Sequence, residues 1–306
     1  MNTQLRTQRK DGIVNLAIPA SSSAGWFRLA LRRYAQSSLG RVGACLLVVL
    51  VLFCFLGPVL DPASPNQINL IAILHPPTWA FPFGTDELGR DLLIRTMIGG
   101  QASLEVGFAA AIASMAVGIF YGLVSGYFGG WLDHLMMRIV DVLRAVPTLF
   151  LLVFFDSAFR PNVGLLIFLI AITSWHGVSR LVRADVLAVR QMLYVDAAKI
   201  SGASHFRILV RHILPNIMGT VLVSSTFMVG DAVLLIASLS FLGLGLPPPA
   251  PNWGSMLSDS MSYFSQNCWW LIYAPGAAIL TTVLAINFIG DALRTAFDMR
   301  LEQEGD

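Results

Sequence analysis

The side chain best placed for chemistry in this sequence is Asp231, which stands alone among apolar neighbours. An acid in such a setting lines a polar path or is hydrogen-bonded within a helix bundle, and both readings stand on sequence. Other reactive groups are scattered. His205 and His212 lie seven residues apart, outside the usual metal-ligand patterns. Cys45 and Cys54 sit in one apolar run and Cys268 precedes two tryptophans, an odd count with no disulfide framework. The two lysines, Lys10 and Lys199, do not follow glycine, so no G-x-x-x-x-G-K-[ST] phosphate loop can form. Neither H-E-x-x-H nor G-x-S-x-G occurs. The expectation is a chain that is not an enzyme, holds no metal or cofactor of its own, and draws its energy from a partner.

A second group of residues suggests how that partner is met. Tyr194-Val195-Asp196-Ala197-Ala198-Lys199-Ile200-Ser201-Gly202-Ala203-Ser204 is followed by Arg211-His212-Ile213-Leu214-Pro215-Asn216. This pattern predicts a short helix, a break, and a second helix. Asp196 suits a helix start, where a carboxylate meets free N–H groups and the positive dipole end. Ala197 and Ala198 leave a smooth surface for another protein. Gly202 suits a helix end, and Pro215 the first turn of the next helix.

The elements that must position these residues are apolar and long. Hydrophobic residues make up 56% of the 306, and charged residues 12%, well below a soluble domain's share. Six runs approach the roughly 20 residues that a bilayer requires: Val42–Leu60, Val106–Tyr127, Ala145–Phe159, Val163–Val178, Ile217–Leu239 and Trp270–Ile289. The third and fourth are short and bordered by Asp156, Arg160 and His176. Six crossings put both termini on one side. That side then carries Arg6, Arg9, Lys10, Arg28, Arg32, Arg33, Arg41, Arg138, Arg144, Arg180, Arg183, Arg190, Lys199, Arg207, Arg211, Arg294 and Arg300. The other carries Arg90, Arg95 and Arg160. Basic loops face the cytoplasm, so the asymmetry places both termini there. The net charge of +2 conceals this division and gives no reason to expect a nucleic-acid partner.

Ala110, Ser114, Gly118, Gly122 and Gly126 recur every four residues. Such a stripe lets another helix approach closely, as in small-xxx-small membrane packing. The N-terminal basic stretch precedes an apolar run too long and too far along for a signal peptide, and reads as a retained anchor. Met1 to Ser23 is polar and serine-rich and is expected to lack fixed structure. Trp26 to Tyr34 alternates aromatic and basic residues, suiting either a surface-lying helix or a solvated basic arm.

The run Asp196, Ala197, Ala198, Gly202, His212, Leu214 and Pro215 resembles the EAA signature of ABC importer permeases, with Asp for Glu. Gly84-Thr85-Asp86-Glu87-Leu88-Gly89-Arg90-Asp91 is similar to a run in the C-type subunits of dipeptide, oligopeptide and nickel importers. So are Tyr127-Phe128-Gly129-Gly130, Met137-Arg138-Ile139-Val140-Asp141, Ser240-Phe241-Leu242-Gly243-Leu244-Gly245, Pro247-Pro248 and Asn252-Trp253-Gly254. The likeness runs from Leu39 to Met299. Departures are Ile94, Gln101 and Glu105 in one segment, and Ile236 where many relatives carry Glu.

The resemblance implies an all-α polytopic membrane protein of the type I ABC importer permease fold. It divides the chain into a cytoplasmic basic segment (1–38), a first transmembrane helix with its extracytoplasmic loop (39–103), a core of five transmembrane helices (104–299) and a cytoplasmic tail (300–306). It implies a bacterial or archaeal plasma-membrane location. The implied partners are a homologous second permease, two ABC ATPase subunits that bind ATP and Mg, and an extracytoplasmic substrate-binding protein, all within the lipid bilayer. Tyr194, Asp196, Ala197, Ala198, Gly202, Ala203, His212, Leu214 and Pro215 would form the ATPase-coupling loop. The implied cargo is di- or oligopeptide. Nickel or nickel-chelate, glutathione and oligosaccharide importers share the signatures, and an ion-coupled secondary transporter is the alternative of another class.

Overall fold

The computed structural model describes residues 23–298 except 62, 160 and 161. Residues 1–22 and 299–306 lie outside it, and with them Arg160 and nearly all of the segment expected to lack structure. The described chain is helical: α1 (Ser23–Gln36), α2 (Ser38–Leu60), α3 (Leu92–Phe128), α4 (Gly130–Ala145), α5 (Thr148–Ala158), α6 (Val163–Val189), α7 (Leu193–Ile200), α8 (His205–Ile208), α9 (Leu214–Phe241), α10 (Trp253–Met261) and α11 (Trp270–Asp298).

Among the described residues, five helical stretches are long and apolar enough to cross a membrane: α2, α3, α6, α8 continuing into α9, and α11. Their outward faces stay apolar, with Val48, Val49, Leu52, Ile112, Phe120, Phe168 and Leu280 all exposed. Water would penalise such a surface, whereas lipid is its natural solvent. Only 17% of the apolar window of α2 is buried within the chain, against 50% for α6. Thus α2 is peripheral and α6 central.

Packing direction defines the remaining crossing. Ser114 lies against Ala171 of α6, Gly118 against Trp175 and Val178, Gly122 against Ser179 and Val182, and Gly126 against Arg183 and Val186. The residue numbers rise together, so α3 and α6 run parallel. The chain must therefore recross between Phe128 and Val163. α4 begins this return antiparallel to α6, with Asp133 meeting Arg183 and Asp141 meeting Arg180. Pro147 then breaks the helix, because it disfavours helical backbone at Val146. α5 completes the return, but its 11 residues span only about 16 Å, half a hydrocarbon core. The third crossing, expected over Ala145–Phe159, is a broken helix shared by α4 and α5. With this return, the described helices are roughly consistent with the six expected crossings, five of them single long helices.

Other boundaries differ from the apolar runs for a related reason. α3 starts 14 residues before Val106, because its polar residues find partners: Arg95 pairs with Asp86, and Gln101 donates to the Cys54 carbonyl at 2.8 Å. α6 extends past Val178 because Arg180 and Arg183 pair with acids of α4.

Two apolar clusters hold the bundle. One joins α3, α6 and α9 through Val106, Ala110, Ile170, Val182, Ile217 and Ile236. The second lies at the end of the bundle near Trp270 and includes Cys54, Leu104, Val233, Trp253 and Met256. Cys45, Cys54 and Cys268 are all free thiols.

Candidate functional site

The Tyr194–Pro215 segment forms a capped and braced projection at one end of the bundle. α7 starts at Leu193, three residues before Asp196. Asp196 lies in the first turn and accepts from Lys199 Nζ at 2.9 Å. Val195 is fully buried and fixes the helix to the bundle. Gly202 has φ +76°, and Ala203 N–H donates to Ala198 O at 3.1 Å, closing the helix in a Schellman-type turn. Ser204 then caps α8, accepting from the Arg207 N–H at 3.4 Å.

Further contacts brace the loop. The Tyr127 hydroxyl lies 2.8 Å from His205 Nδ1, and the rings of Tyr194 and His212 are 6.5 Å apart. Leu209–Ile213 forms a π-helical turn immediately before α9. The wider turn relieves the clash that the Pro215 ring would make with the carbonyl four residues earlier. Ala197 is exposed and Ala198 half-buried, and large apolar side chains outside the expected coupling set are also exposed: Ile200 is 88%, Leu193 87% and Phe206 75% exposed. Their apolar character beside the Asp-Ala-Ala run was the available signal.

A groove of about 590 Å³ opens on the side of the bundle between α5, α6 and α9. From α9 come Ser224, Phe227, Met228, Asp231, Leu234, Leu235 and Ser238. Their three- and four-residue spacing forms a single stripe. From α6 come Thr173, Ser174, His176, Gly177, Val178 and Leu181, and from α5 Thr148 and Leu149. Asp231 therefore faces the groove rather than a hydrogen-bonded interior. The polar groups around it were not picked out from sequence, although Ser224, Asp231 and Ser238 recur every seven residues. Ala110, Ser114, Gly118, Gly122 and Gly126 are buried between helices, away from the groove.

At the other end of the bundle, Gly84–Asp91 forms a folded knot. The Asp86 carboxylate accepts from Leu88 N–H (3.0 Å), Arg90 N–H (2.9 Å) and Arg90 Nε (2.6 Å), and lies 3.2 Å from Arg95 Nε. Asp91 caps α3, accepting from Leu93 N–H at 2.8 Å. Gly89 has φ +70°, and a Cβ there would collide with the Asn69 carbonyl oxygen. Burial pushes the Glu87, Asp91 and Asp259 carboxyls up; nearby Arg90 opposes this at Glu87, and Arg95 and Arg90 do so at Asp259. Trp253 of the Asn252-Trp253-Gly254 run is fully buried, and its Nε1 donates to Thr96 O at 2.9 Å. Gly100 admits its ring, since a Cβ would lie 2.7 Å from it. Both runs pin the ends of long helices.

Residues 118–303 match the family described as binding-protein-dependent transport system inner membrane component. The chain belongs to this family. Residues 25–77 of the permease also match the N-terminal transmembrane domain of oligopeptide transport permease C. It is 38% identical to the dipeptide transport system permease protein DppC of Bacillus subtilis, over 90% of this chain and 86% of that one. It is 35% identical to the oligopeptide transport system permease protein OppC of the same organism, over 94% and 98%. The residues that depart from the familiar pattern sit in well-defined places: Ile94 and Ile236 are buried, and Glu105 is exposed.

Proposed function

We propose that this permease forms half of an ATP-driven import pathway for di- and oligopeptides. The observation that carries the reading is the α7–α8 projection: a capped, braced helix pair that offers Leu193, Ile200 and Phe206 to solvent. Apolar side chains exposed on a rigid element suit a protein partner. In this reading they seat in one of two ABC ATPase subunits, each of which serves one permease of a homologous pair. ATP and Mg belong to those subunits, and the permease is not itself catalytic.

Closure of the ATPases moves the projection, and the bracing of Val195, His205 and Pro215 passes that movement to α3 and α9. The groove on α5, α6 and α9 faces the second permease and encloses the path. Charge supports the orientation. Arg41, Arg183, Arg190, Lys199, Arg207, Arg211 and Arg294 belong to the end carrying α7, which is the cytoplasmic end by the positive-inside rule. The knot at Gly84–Asp91 then faces outward, where a substrate-binding protein docks. The names of the two relatives, dipeptide and oligopeptide transport permeases, support peptide as cargo.

The test is reconstitution with co-purifying partners, followed by a search for compounds that stimulate ATP hydrolysis. Stimulation by short peptides is expected. Uptake driven by a proton gradient without any ATPase would overturn the reading.

A further inference from the structure

Asp231 lies ten residues before the end of α9, hence about 15 Å from that end and near the middle of a bilayer. None of the ion pairs among the described residues involves it. The groove lining contains no lysine or arginine; its one other titratable side chain is His176 of α6. A carboxylate at that depth needs a compensating cation or a water-filled path.

Three of the hydroxyls that line the groove direct their hydrogens along their own helices. Ser224 Oγ donates to Thr220 O at 2.8 Å, Ser238 Oγ to Leu234 O at 2.8 Å, and Thr173 Oγ1 to Leu169 O at 2.8 Å. Each hydrogen is engaged by its own helix, which leaves oxygen lone pairs available as acceptors. Two of these oxygens flank Asp231 at seven residues on either side, about 10 Å along the helix. The groove thus combines one carboxylate and the imidazole of His176 with a line of acceptors, and the carboxylate and acceptors favour donors and positive charge.

We propose that Asp231 receives a cationic group of the substrate in transit, an ammonium or guanidinium, and that the Ser224–Ser238 stripe guides it. The inference rests on the peptide-import reading and names the charge class that this path favours. Two sources share the chemistry: the free peptide N-terminus and a lysine or arginine side chain. No bond is made or broken; the group exchanges water for the carboxylate and then leaves.

The experiment uses the complete complex in vesicles, with its own partner permease, ATPases and binding protein. ATP-driven uptake is measured for Ala-Ala-Ala, N-acetyl-Ala-Ala-Ala, Ala-Lys-Ala and N-acetyl-Ala-Lys-Ala, in wild type, Asp231→Asn and Asp231→Glu. The same binding protein serves all three, so its selectivity cancels in the variant-to-wild-type ratio for each peptide. For Asp231→Asn, kcat/KM for cationic peptides is expected to fall about tenfold further than for N-acetyl-Ala-Ala-Ala, as expected for loss of a charge-assisted contact. Asp231→Glu is expected to restore most of the preference.

Selective loss of Ala-Ala-Ala would assign the site to the terminus, and selective loss of N-acetyl-Ala-Lys-Ala would assign it to the side chain. Both support the proposal. Equal ratios for all four peptides, or no restoration by Asp231→Glu, would overturn it while leaving peptide import intact. Wild-type vesicles that import none of the four would instead remove the peptide reading, and this inference with it.

Discussion

Arg183 of α6 grips Asp133 of α4 with two parallel hydrogen bonds, Nε to Oδ1 at 2.5 Å and Nη2 to Oδ2 at 2.6 Å. The same carboxylate accepts from the Ser125 hydroxyl of α3. One acid therefore ties three helices together where the broken third crossing begins. Asp133→Ala is expected to destabilise the complex by about 2 kcal/mol, less than a fully buried pair because Arg183 remains partly exposed. Thermal unfolding in detergent measures this. An unchanged midpoint would show that the pair contributes nothing.

The parallel contact of α3 with α6 leaves no space at Gly122. A Cβ there would lie 2.6 Å from Ser179 O and 2.7 Å from the Val182 Cβ. Gly122→Ala is expected to cost about 1–3 kcal/mol, the usual range for overpacking, and Gly122→Leu to prevent correct assembly. At Gly177 of α6 a Cβ would meet no neighbouring atom within 4 Å, so Gly177→Ala should keep its stability. Size-exclusion profiles and melting curves of the three variants provide the comparison.

Gly202 differs, because a side chain there would meet open space but a left-handed backbone. The strain is conformational, about 1–2 kcal/mol for an ordinary L-residue and less for Asn. Peptide-stimulated ATP hydrolysis should therefore decline in the order Gly202, Gly202→Asn, Gly202→Ala, Gly202→Val, with membrane insertion retained. Full uptake by Gly202→Val would remove the coupling role from this loop.

Leu193 and Ile200 should bind the ATPase through their exposed apolar surface. Replacing both with Ser forfeits about 3 kcal/mol of burial, roughly a hundredfold in affinity. The double variant is expected to keep the melting temperature of the permease pair and to lose co-purification of the ATPase. Val195→Ser is the contrast, since Val195 is buried within this chain and its loss should loosen the loop itself.

Much of the molecule follows from properties that act over short stretches of chain. Apolar runs of bilayer length define crossings, basic residues favour one side, and the Asp196-to-Pro215 spacing defines a helix, a turn and a second helix. Each depends on solvation or on backbone hydrogen bonds within a few residues. The four-residue stripe at Ala110–Gly126 likewise announces close helix approach, though not which helix comes near.

Tertiary structure decided what depends on partners distant in the chain. Asp133 and Arg183 are 50 residues apart, and Thr96 and Trp253 are 157 apart. The parallel course of α3 and α6 makes the chain return through α4 and α5, a requirement that hydropathy cannot express. The same packing turns one stripe of α9 toward an open groove. Asp231 was visible in sequence as an isolated acid; its exposure to a path lined by hydroxyl acceptors results from the packing of α5 and α6 beside α9, because burial depends on neighbours as much as on residue type.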